Sequence, residues 1–163
     1  MKLGTRAKYT LRLMMGIGRL TERRPRVSLG DVSQHCGISR RYLDQLVVSL
    51  RNSDLLRGRS GRRGGYCLSR PADEIKIGEI IAAAIGPITI SECVSKPDTC
   101  MQSEFCQCRL LWRLIDRRIN EVLNEYSLAD LLDHRWANKV RGEIEFIEEI
   151  DKKRAAVAQG TTT

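Results

Sequence analysis

Four of the six cysteines in this chain lie within sixteen residues, in the stretch CVSKPDTCMQSEFCQC from Cys93 to Cys108. Six residues separate Cys93 from Cys100 and five separate Cys100 from Cys106, so a loop of this length can wrap several thiolates around one metal. Thiolate sulfur favours zinc, copper(I) or an iron–sulfur cluster over calcium and magnesium, because soft donors and acceptors form the more covalent bonds. The stretch therefore predicts a site for a soft metal or a cluster.

Two metal-free interpretations of the cysteines stay open at this point. Free cysteine often packs as a small core hydrophobe, and closely spaced thiols can form disulfides. The chain begins with MKLGTRAKYT, which lacks the apolar run of a secretory signal, so we expect a cytoplasmic protein with reduced thiols. The apolar segment IGEIIAAAIG is shorter than the ~20 residues that cross a bilayer, so we expect no membrane partner.

The elements that would position these cysteines begin with a strongly basic first half. The net charge of +8 is unevenly distributed: residues 1–72 contain sixteen Lys and Arg against four Asp and Glu, and residues 73–163 contain twelve against sixteen. Neutralisation of phosphates by Lys and Arg releases condensed counterions, which favours nucleic acid as the partner of a basic module. An anionic membrane surface would require an amphipathic basic helix, whereas these arginines cluster around turns.

The basic half contains the pattern of a helix-turn-helix. A first helix is predicted from about residue 5 to residue 20. After the helix-breaking segment ERRPR, Ser28 and Asp31 have the spacing of a capping box that starts a short second helix ending near Cys36. The segment from Gly37 to Ser39 then predicts a tight turn before a third helix, with Ser39 as its N-cap.

The third helix has two faces with different chemistry. Leu43, Leu46, Val47 and Leu50 share one face, and polar residues point away from it. In a major groove, arginine pairs with guanine and glutamine with adenine through two hydrogen bonds each. Arg40, Arg41 and Gln45 are therefore the predicted base readers. An ordinary solvated face is the alternative interpretation. The candidate DNA-binding residues of this helix are Ser39, Arg40, Arg41, Tyr42 and Gln45.

Two short strands, LLRGRS and YCLS, flank the turn GRRGG and predict a β-hairpin wing. The turn glycines Gly61, Gly64 and Gly65 suit positive φ. Arginines crowd the hairpin tip, where the DNA backbone or a narrow minor groove would attract them. Cys67 is predicted to be a strand residue rather than a metal ligand. The candidate DNA-binding residues of the wing are Arg59, Arg62 and Arg63.

Three segments together resemble the IscR/NsrR-like family of bacterial regulators, also called Rrf-two: GISRRYLDQLVVSLRNSDLL, then GRRGGYCLSRPADEIKIGEII, then GP followed by ECV and two further cysteines. The resemblance covers residues 1 to about 133, and the combination of a GGY wing with a cysteine loop is specific. It implies a homodimeric transcription factor that is mainly α, with a winged helix-turn-helix domain, a small β-hairpin wing and a long dimerisation helix.

The resemblance also implies a role for the clustered cysteines. Cluster-binding members hold an iron–sulfur cluster through three cysteines of this loop, and the corresponding positions here are Cys93, Cys100 and Cys106. The helix predicted from about Gln107 to Tyr126 corresponds to the dimerisation helix, and a homodimer would read a palindromic operator in double-stranded DNA. The expected parts are a DNA-binding domain at 1–85, a cluster-binding loop at 86–108, the dimerisation helix and a short following helix at 109–136, and a charged extension at 137–163.

Three positions depart from the family pattern. Arg109 stands where some relatives place a histidine ligand, and arginine keeps its proton and cannot bind metal. Lys8 stands where other relatives place an acidic ligand in the first helix. The fourth ligand therefore stays open among three candidates, Cys108, His35 and Cys36. Ser60 stands where the family commonly places an arginine before the first wing glycine.

The sequence thus predicts a DNA-binding transcriptional regulator that senses iron–sulfur status, redox state or nitric oxide. A cluster-free regulator that uses thiol oxidation or zinc is the alternative, and a protein-interaction module is another. We expect no enzyme and no small-molecule substrate, because His35 and His134 are the only histidines and neither lies near a persuasive nucleophile. In the extension, isoleucines at 144, 147 and 150 predict a marginal amphipathic helix.

Overall fold

The computed structural model describes residues 4–61, 64–96, 98 and 106–160. Helices dominate the described part of the chain, and two short antiparallel strands form a hairpin, so the predicted fold class is confirmed. The elements, in chain order, are α1 (Thr5–Thr21), α2 (Leu29–Cys36), α3 (Arg40–Asn52), β1 (Leu56–Arg59), β2 (Gly65–Leu68), a 3-10 turn (Ala72–Glu74), α4 (Ile77–Ile85), α5 (Glu92–Ser95), α6 (Gln107–Glu125), α7 (Leu128–Leu132) and α8 (His134–Gly160).

The ends of α2 follow from the local sequence. The Ser28 hydroxyl accepts a hydrogen bond from the Asp31 backbone N–H at 3.2 Å, and the Asp31 carboxylate accepts one from the Ser28 N–H at 3.3 Å. This reciprocal pair is the capping box that the sequence predicts. Gly37 ends the helix in the left-handed conformation with φ 67°, which costs a glycine little. The chain therefore turns within three residues and enters α3.

The core lies where α1, α3 and α4 meet. Helix α1 packs against α2, α3 and α4, and α4 also packs against α3 and α6. On α1, the most deeply buried apolar residues are Leu13, Met14 and Ile17, while Leu11 and Met15 are only partly buried. Each fully buried aliphatic side chain contributes roughly 1.5–3 kcal/mol. The fully buried large side chains also include Leu43, Leu46, Leu50, Leu55, Ile75, Ile80 and Leu128.

The wing is a hairpin with an added backbone bridge. Strand β1 pairs antiparallel with β2, with Leu56 opposite Leu68 and Arg59 opposite Gly65. Val27, which precedes α2, exchanges two hydrogen bonds with Tyr66 at 2.8 and 2.9 Å, so the wing is tied to the helix-turn-helix. Tyr66 and Leu68, which alternate with Cys67 and Ser69 along β2 and the residue after it, pack against the core.

The glycines of the wing serve two different purposes. Gly61 and Gly65 have positive φ, at 108° and 139°. Gly64 is required for close approach, because a Cβ there would clash with the Arg59 carbonyl oxygen.

The chain divides into two compact units, Met1–Leu132 and Asp133–Thr163. The second unit consists mainly of α8, on which Ile144, Phe146 and Ile147 are exposed. None of the helices in the described ranges combines the length and the apolar character that a bilayer crossing requires.

Candidate functional site

Helix α3 separates a buried apolar face from an exposed polar face. Leu43, Leu46, Val47 and Leu50 are all buried, as predicted. Arg40, Arg41, Asp44 and Gln45 are exposed. The hydrophobic face fixes the helix against the core, so the polar face projects away from the core, in the arrangement that a recognition helix needs.

The start of α3 is held by an aromatic pair. The rings of Tyr42 and Tyr9 pack edge to face, with centroids 5.8 Å apart and planes at 80°. The Arg12 guanidinium lies 5.8 Å from the centroid of the Tyr9 ring. Ser39 occupies the N-cap position, but its side chain makes no capping hydrogen bond. Its hydroxyl and the half-buried Tyr42 therefore lie at the same end of the helix as the two arginines.

The turn between α2 and α3 is fastened internally. The Ser33 hydroxyl donates a hydrogen bond to the Ile38 carbonyl oxygen at 2.6 Å, and Ile38 itself is buried.

Of the predicted DNA-binding residues of the wing, Arg59 lies at the end of β1 and is exposed. The other two predicted wing residues, Arg62 and Arg63, lie outside the described residues.

Two of the three predicted cluster ligands lie on adjoining elements. Cys93 is in α5, and Cys106 is the N-cap of α6. Arg109 donates a hydrogen bond from Nε to the Cys93 carbonyl oxygen at 3.0 Å, which ties α5 to the first turn of α6. The Cys93 thiol lies 3.1 Å from the Ser91 hydroxyl. Cys100 lies outside the described residues.

The described cysteines are all free thiols, and in the described ranges no group of three or more His, Cys, Asp or Glu side chains converges on one point. A complete set of cluster ligands would also need Cys100. The structure therefore places Cys93 and Cys106 on two elements that the Arg109 side chain joins.

A buried carboxylate anchors the segment that leads into α5. Asp116 of α6 is only 7% exposed. Its two carboxylate oxygens accept hydrogen bonds from the Thr89 hydroxyl at 3.0 Å and from the Ile90 backbone N–H at 2.8 Å. One turn later, Asn120 donates to the Ile88 carbonyl oxygen at 3.4 Å. The chain just before Cys93 is thus bound to the same helix that begins after Cys106.

Helix α4 connects this region to the helix-turn-helix. It packs on both α1 and α3 and leads directly into the segment that Asp116 anchors. Arg6 of α1 donates a hydrogen bond from Nε to the Ala84 carbonyl oxygen near the end of α4 at 2.7 Å. Helix α4 therefore forms a packing connection between the segment before Cys93 and helices α1 and α3.

The three candidates for a fourth ligand lie in different surroundings. Cys108 is exposed in the first turn of α6. His35 is exposed near the end of α2. Cys36 is half-buried, and its thiol lies 3.3 Å from the Arg12 carbonyl oxygen. Burial raises the pKa of the Cys36 thiol, although the nearby charges of Arg12 and Arg19 act in the opposite direction.

A family model described as iron-dependent transcriptional regulator, Rrf2, matches residues 3–134. The chain belongs to the Rrf2 family. The match includes the helix-turn-helix, the wing, the cysteine segment and α6, so it contains every element described above apart from α8. Members of this family are transcriptional regulators and not enzymes, which confirms that expectation.

Individual relatives of this Rrf2-family chain agree. It is 33% identical over 135 residues to the HTH-type transcriptional regulator IscR of Erwinia tasmaniensis, and the match covers 83% of this chain and 81% of the relative. Among solved structures, IscR of T. potens matches with TM-score 0.65 and 29% identity, over 81% of this chain and 86% of that one. CymR, the global cysteine regulator of B. subtilis, matches with TM-score 0.65 and 32% identity, over 81% and 96%. This chain is therefore an IscR-like, DNA-binding transcriptional regulator.

The sequence did not reveal two residues that hold the Rrf2 cysteine segment. In the sequence, Arg109 is notable only as a departure from a ligand position, whereas its bond to the Cys93 carbonyl oxygen gives it a positioning role. The sequence motifs do not include Asp116. The sequence does contain a signal for a buried polar contact. Asp116 is followed four residues later by Asn120, on a helix rich in Leu and Ile.

Proposed function

We propose that this Rrf2-family regulator holds an iron–sulfur cluster through Cys93, Cys100 and Cys106, and that the state of the cluster controls its binding to operator DNA. The observation that carries the proposal is the tie between α5 and α6 by Arg109, because it keeps Cys93 close in the fold to Cys106. The cluster would report iron–sulfur status, redox state or nitric oxide.

The donor set fits such a cluster. Cys93 and Cys106 are free thiols, and thiolates are the usual ligands of iron–sulfur clusters. Cys106 is the N-cap of α6 and directly precedes the helix that carries Arg109. A bound cluster would supply iron that changes oxidation state and that is lost or modified by oxidants. Cys108, His35 and Cys36 stay as candidates for a fourth ligand.

The proposed DNA-binding residues of α3 and of the wing have different roles. Arg40, Arg41 and Gln45 are exposed on α3 and would read base edges in a major groove, with Ser39 and Tyr42 at the start of the helix. Arg59, together with Arg62 and Arg63, would bind the backbone or the minor groove through the wing.

The proposed parts of the whole chain are the DNA-binding domain at 1–85, the cluster loop at 86–108, the dimerisation region at 109–136 and the extension at 137–163.

The surface of α6 supports the proposal of a homodimer. Leu110, Leu111, Leu114 and Val122 are between 51% and 63% exposed, which is unusual for so many large apolar residues on one helix. A second copy of α6 is the partner that this self-complementary stripe suits. Two copies of α3 would then read the two halves of a palindromic operator.

The proposal is tested by anaerobic purification followed by visible spectroscopy and by iron, sulfide and zinc analysis. We expect brown protein that contains iron and sulfide. Replacement of Cys93, Cys100 and Cys106 by alanine should remove both, whereas Cys67→Ala, in the wing, should retain them as the matched control. Colourless protein with zinc or with metal-free thiols would instead support the cluster-free regulator.

A further inference from the structure

A basic groove lies between the C-terminal end of α3 and the first strand of the wing. Its volume is about 500 Å³, and none of the described residues that line it is acidic. Four of the seven lining residues are arginines, of which only Arg59 belongs to the predicted DNA-binding set. The lining consists of Arg26, Arg51, Asn52, Leu56, Arg57, Gly58 and Arg59.

The arginines of the groove are oriented by the strands beneath them. The Arg51 Nε atom lies 3.8 Å from the point where a Cβ on Gly58 would stand, so the Arg51 side chain lies against β1. Arg26 donates a hydrogen bond from Nη1 to the Cys67 sulfur at 3.6 Å, and the Cys67 thiol lies 3.8 Å from the Arg57 carbonyl oxygen. Cys67 thus holds Arg26 next to the strand that bears Arg57.

The positive charge of the groove is not neutralised within the described chain. None of the ion pairs among described residues includes Arg51, Arg57 or Arg59. Guanidinium groups in this arrangement suit phosphate oxygens, because the planar fork of arginine binds them through two parallel hydrogen bonds.

The groove also continues the DNA-facing surface of α3. Gln45 and Asn52 are seven residues apart and so lie on the same side of the helix, and both are exposed. A duplex that presents its major groove to Gln45 therefore passes its sugar–phosphate backbone along the end of α3 and the edge of β1.

We propose that this groove binds the phosphodiester backbone of DNA next to the bases that α3 reads. The inference rests on the proposed DNA-binding function and adds Arg26, Arg51 and Arg57 to it as backbone contacts. Contacts of this kind fix register and orientation and are independent of base sequence. They give affinity whose size depends steeply on salt.

The test uses the full-length protein with the double substitution Arg51→Gln and Arg57→Gln. Binding to mixed-sequence and A·T-rich duplexes of about 30 base pairs is measured over a series of salt concentrations. Each lost phosphate contact should reduce the slope of log K against log salt by about 0.9, so the double variant should lose about 2 from the slope. Affinity should fall by the same factor on both duplexes.

The matched control removes the same two charges from exposed positions of α8, as Lys139→Gln with Arg141→Gln, and should leave the slope unchanged. Circular dichroism is used to check that both variants fold. If the groove variant keeps the parent slope, or loses affinity only on the A·T-rich duplex, the backbone contact is refuted while DNA binding by the parent stands. If the parent protein binds neither duplex, the proposed function fails together with the groove.

Discussion

Helices α3 and α6 are both amphipathic, but they bury their apolar residues to different extents. In α3 the apolar residues Leu43, Leu46 and Leu50 are fully buried in the core of their own chain, and the polar residues are left for a partner. In α6, a helix of 19 described residues, the buried residue is the polar Asp116, and several leucines are exposed.

The difference shows which part of the regulator is complete in one chain. The DNA-facing surface is positioned by a core that a single copy supplies in full. The cysteine segment is positioned by Asp116 and Arg109, on a helix whose apolar side a single copy leaves exposed. In the proposed regulator, the cysteine-bearing half would therefore be completed by a second copy and a cluster, whereas the described core of the DNA-binding half is formed within one chain.

The largest effect is expected from a charge placed in the apolar stripe of α6. Leu114→Glu would bury an unpaired carboxylate in each half of the dimer, at a cost of roughly 3–5 kcal/mol. Sedimentation should show a monomer at concentrations where the parent is a dimer. Val48→Glu is the matched control, since Val48 is 56% exposed on α3 and Leu114 is 54% exposed on α6. A dimeric Leu114→Glu protein would contradict the assignment of the interface.

A core substitution on α3 should act within the single chain. Leu46→Ala removes a fully buried side chain and should destabilise the fold by roughly 2–5 kcal/mol. Denaturant unfolding measures this loss, which should not vary with protein concentration. The same change on α6, Leu114→Ala, should lower the unfolding midpoint mainly at low concentration, where the dimer dissociates. Equal losses of stability in the two variants, independent of protein concentration, would contradict the proposed difference between α3 and α6.

Removal of the buried carboxylate should loosen the cysteine segment. Asp116→Ala leaves the Ile90 N–H without its acceptor and removes the hydrogen bond from the Thr89 hydroxyl, which costs about 1–3 kcal/mol. Loss of iron in air, followed by absorbance, should be faster than in the parent. Asp130→Ala is the matched control, because Asp130 accepts two hydrogen bonds from Ser127, away from the cysteines. Similar rates of iron loss in the two variants would show that Asp116 does not stabilise the cysteine segment.

The smallest effect concerns the start of α4. Burial alone would raise the pKa of Glu79, but the Lys76 backbone N–H and the Arg70 side chain bind its carboxylate, and the pKa is lowered. A depressed pKa adds stability above the unfolded-state pKa, and this contribution is lost as the pH falls through the folded-state pKa. The gain should be below about 1 kcal/mol because the pair is exposed. Unfolding of Glu79→Gln should therefore be less sensitive to acid than that of the parent, and identical acid sensitivity would contradict the role of the pair.

Local patterns were sufficient to predict the winged helix-turn-helix. The capping box at Ser28 and Asp31, the turn at Gly37 and the two-faced pattern of α3 each depend on residues a few positions apart. The contacts around the cysteines could not be predicted in this way. Asp116 reaches the Ile90 N–H across 26 positions and Arg109 reaches the Cys93 carbonyl oxygen across 16, and such pairs are defined by packing rather than by periodicity.

The sequence also could not separate the two uses of glycine in the wing. Positive φ and close backbone approach both require glycine, so Gly64 and Gly65 look alike along the chain. Only the folded hairpin shows that Gly64 avoids the Arg59 carbonyl oxygen, whereas Gly65 has both a positive φ and close contact with Val27. The role of Cys100, by contrast, stays a prediction, because it lies outside the described residues.

The coupling of the cluster to DNA binding is the central claim, and one titration tests it most directly. A duplex selected by the protein from a random library is titrated anaerobically with cluster-loaded protein, and then with the same protein after removal of iron and sulfide. We expect the two affinities for this duplex to differ by at least about tenfold, which corresponds to about 1.4 kcal/mol of coupling. Equal affinities of the loaded and the cluster-free protein would contradict the account.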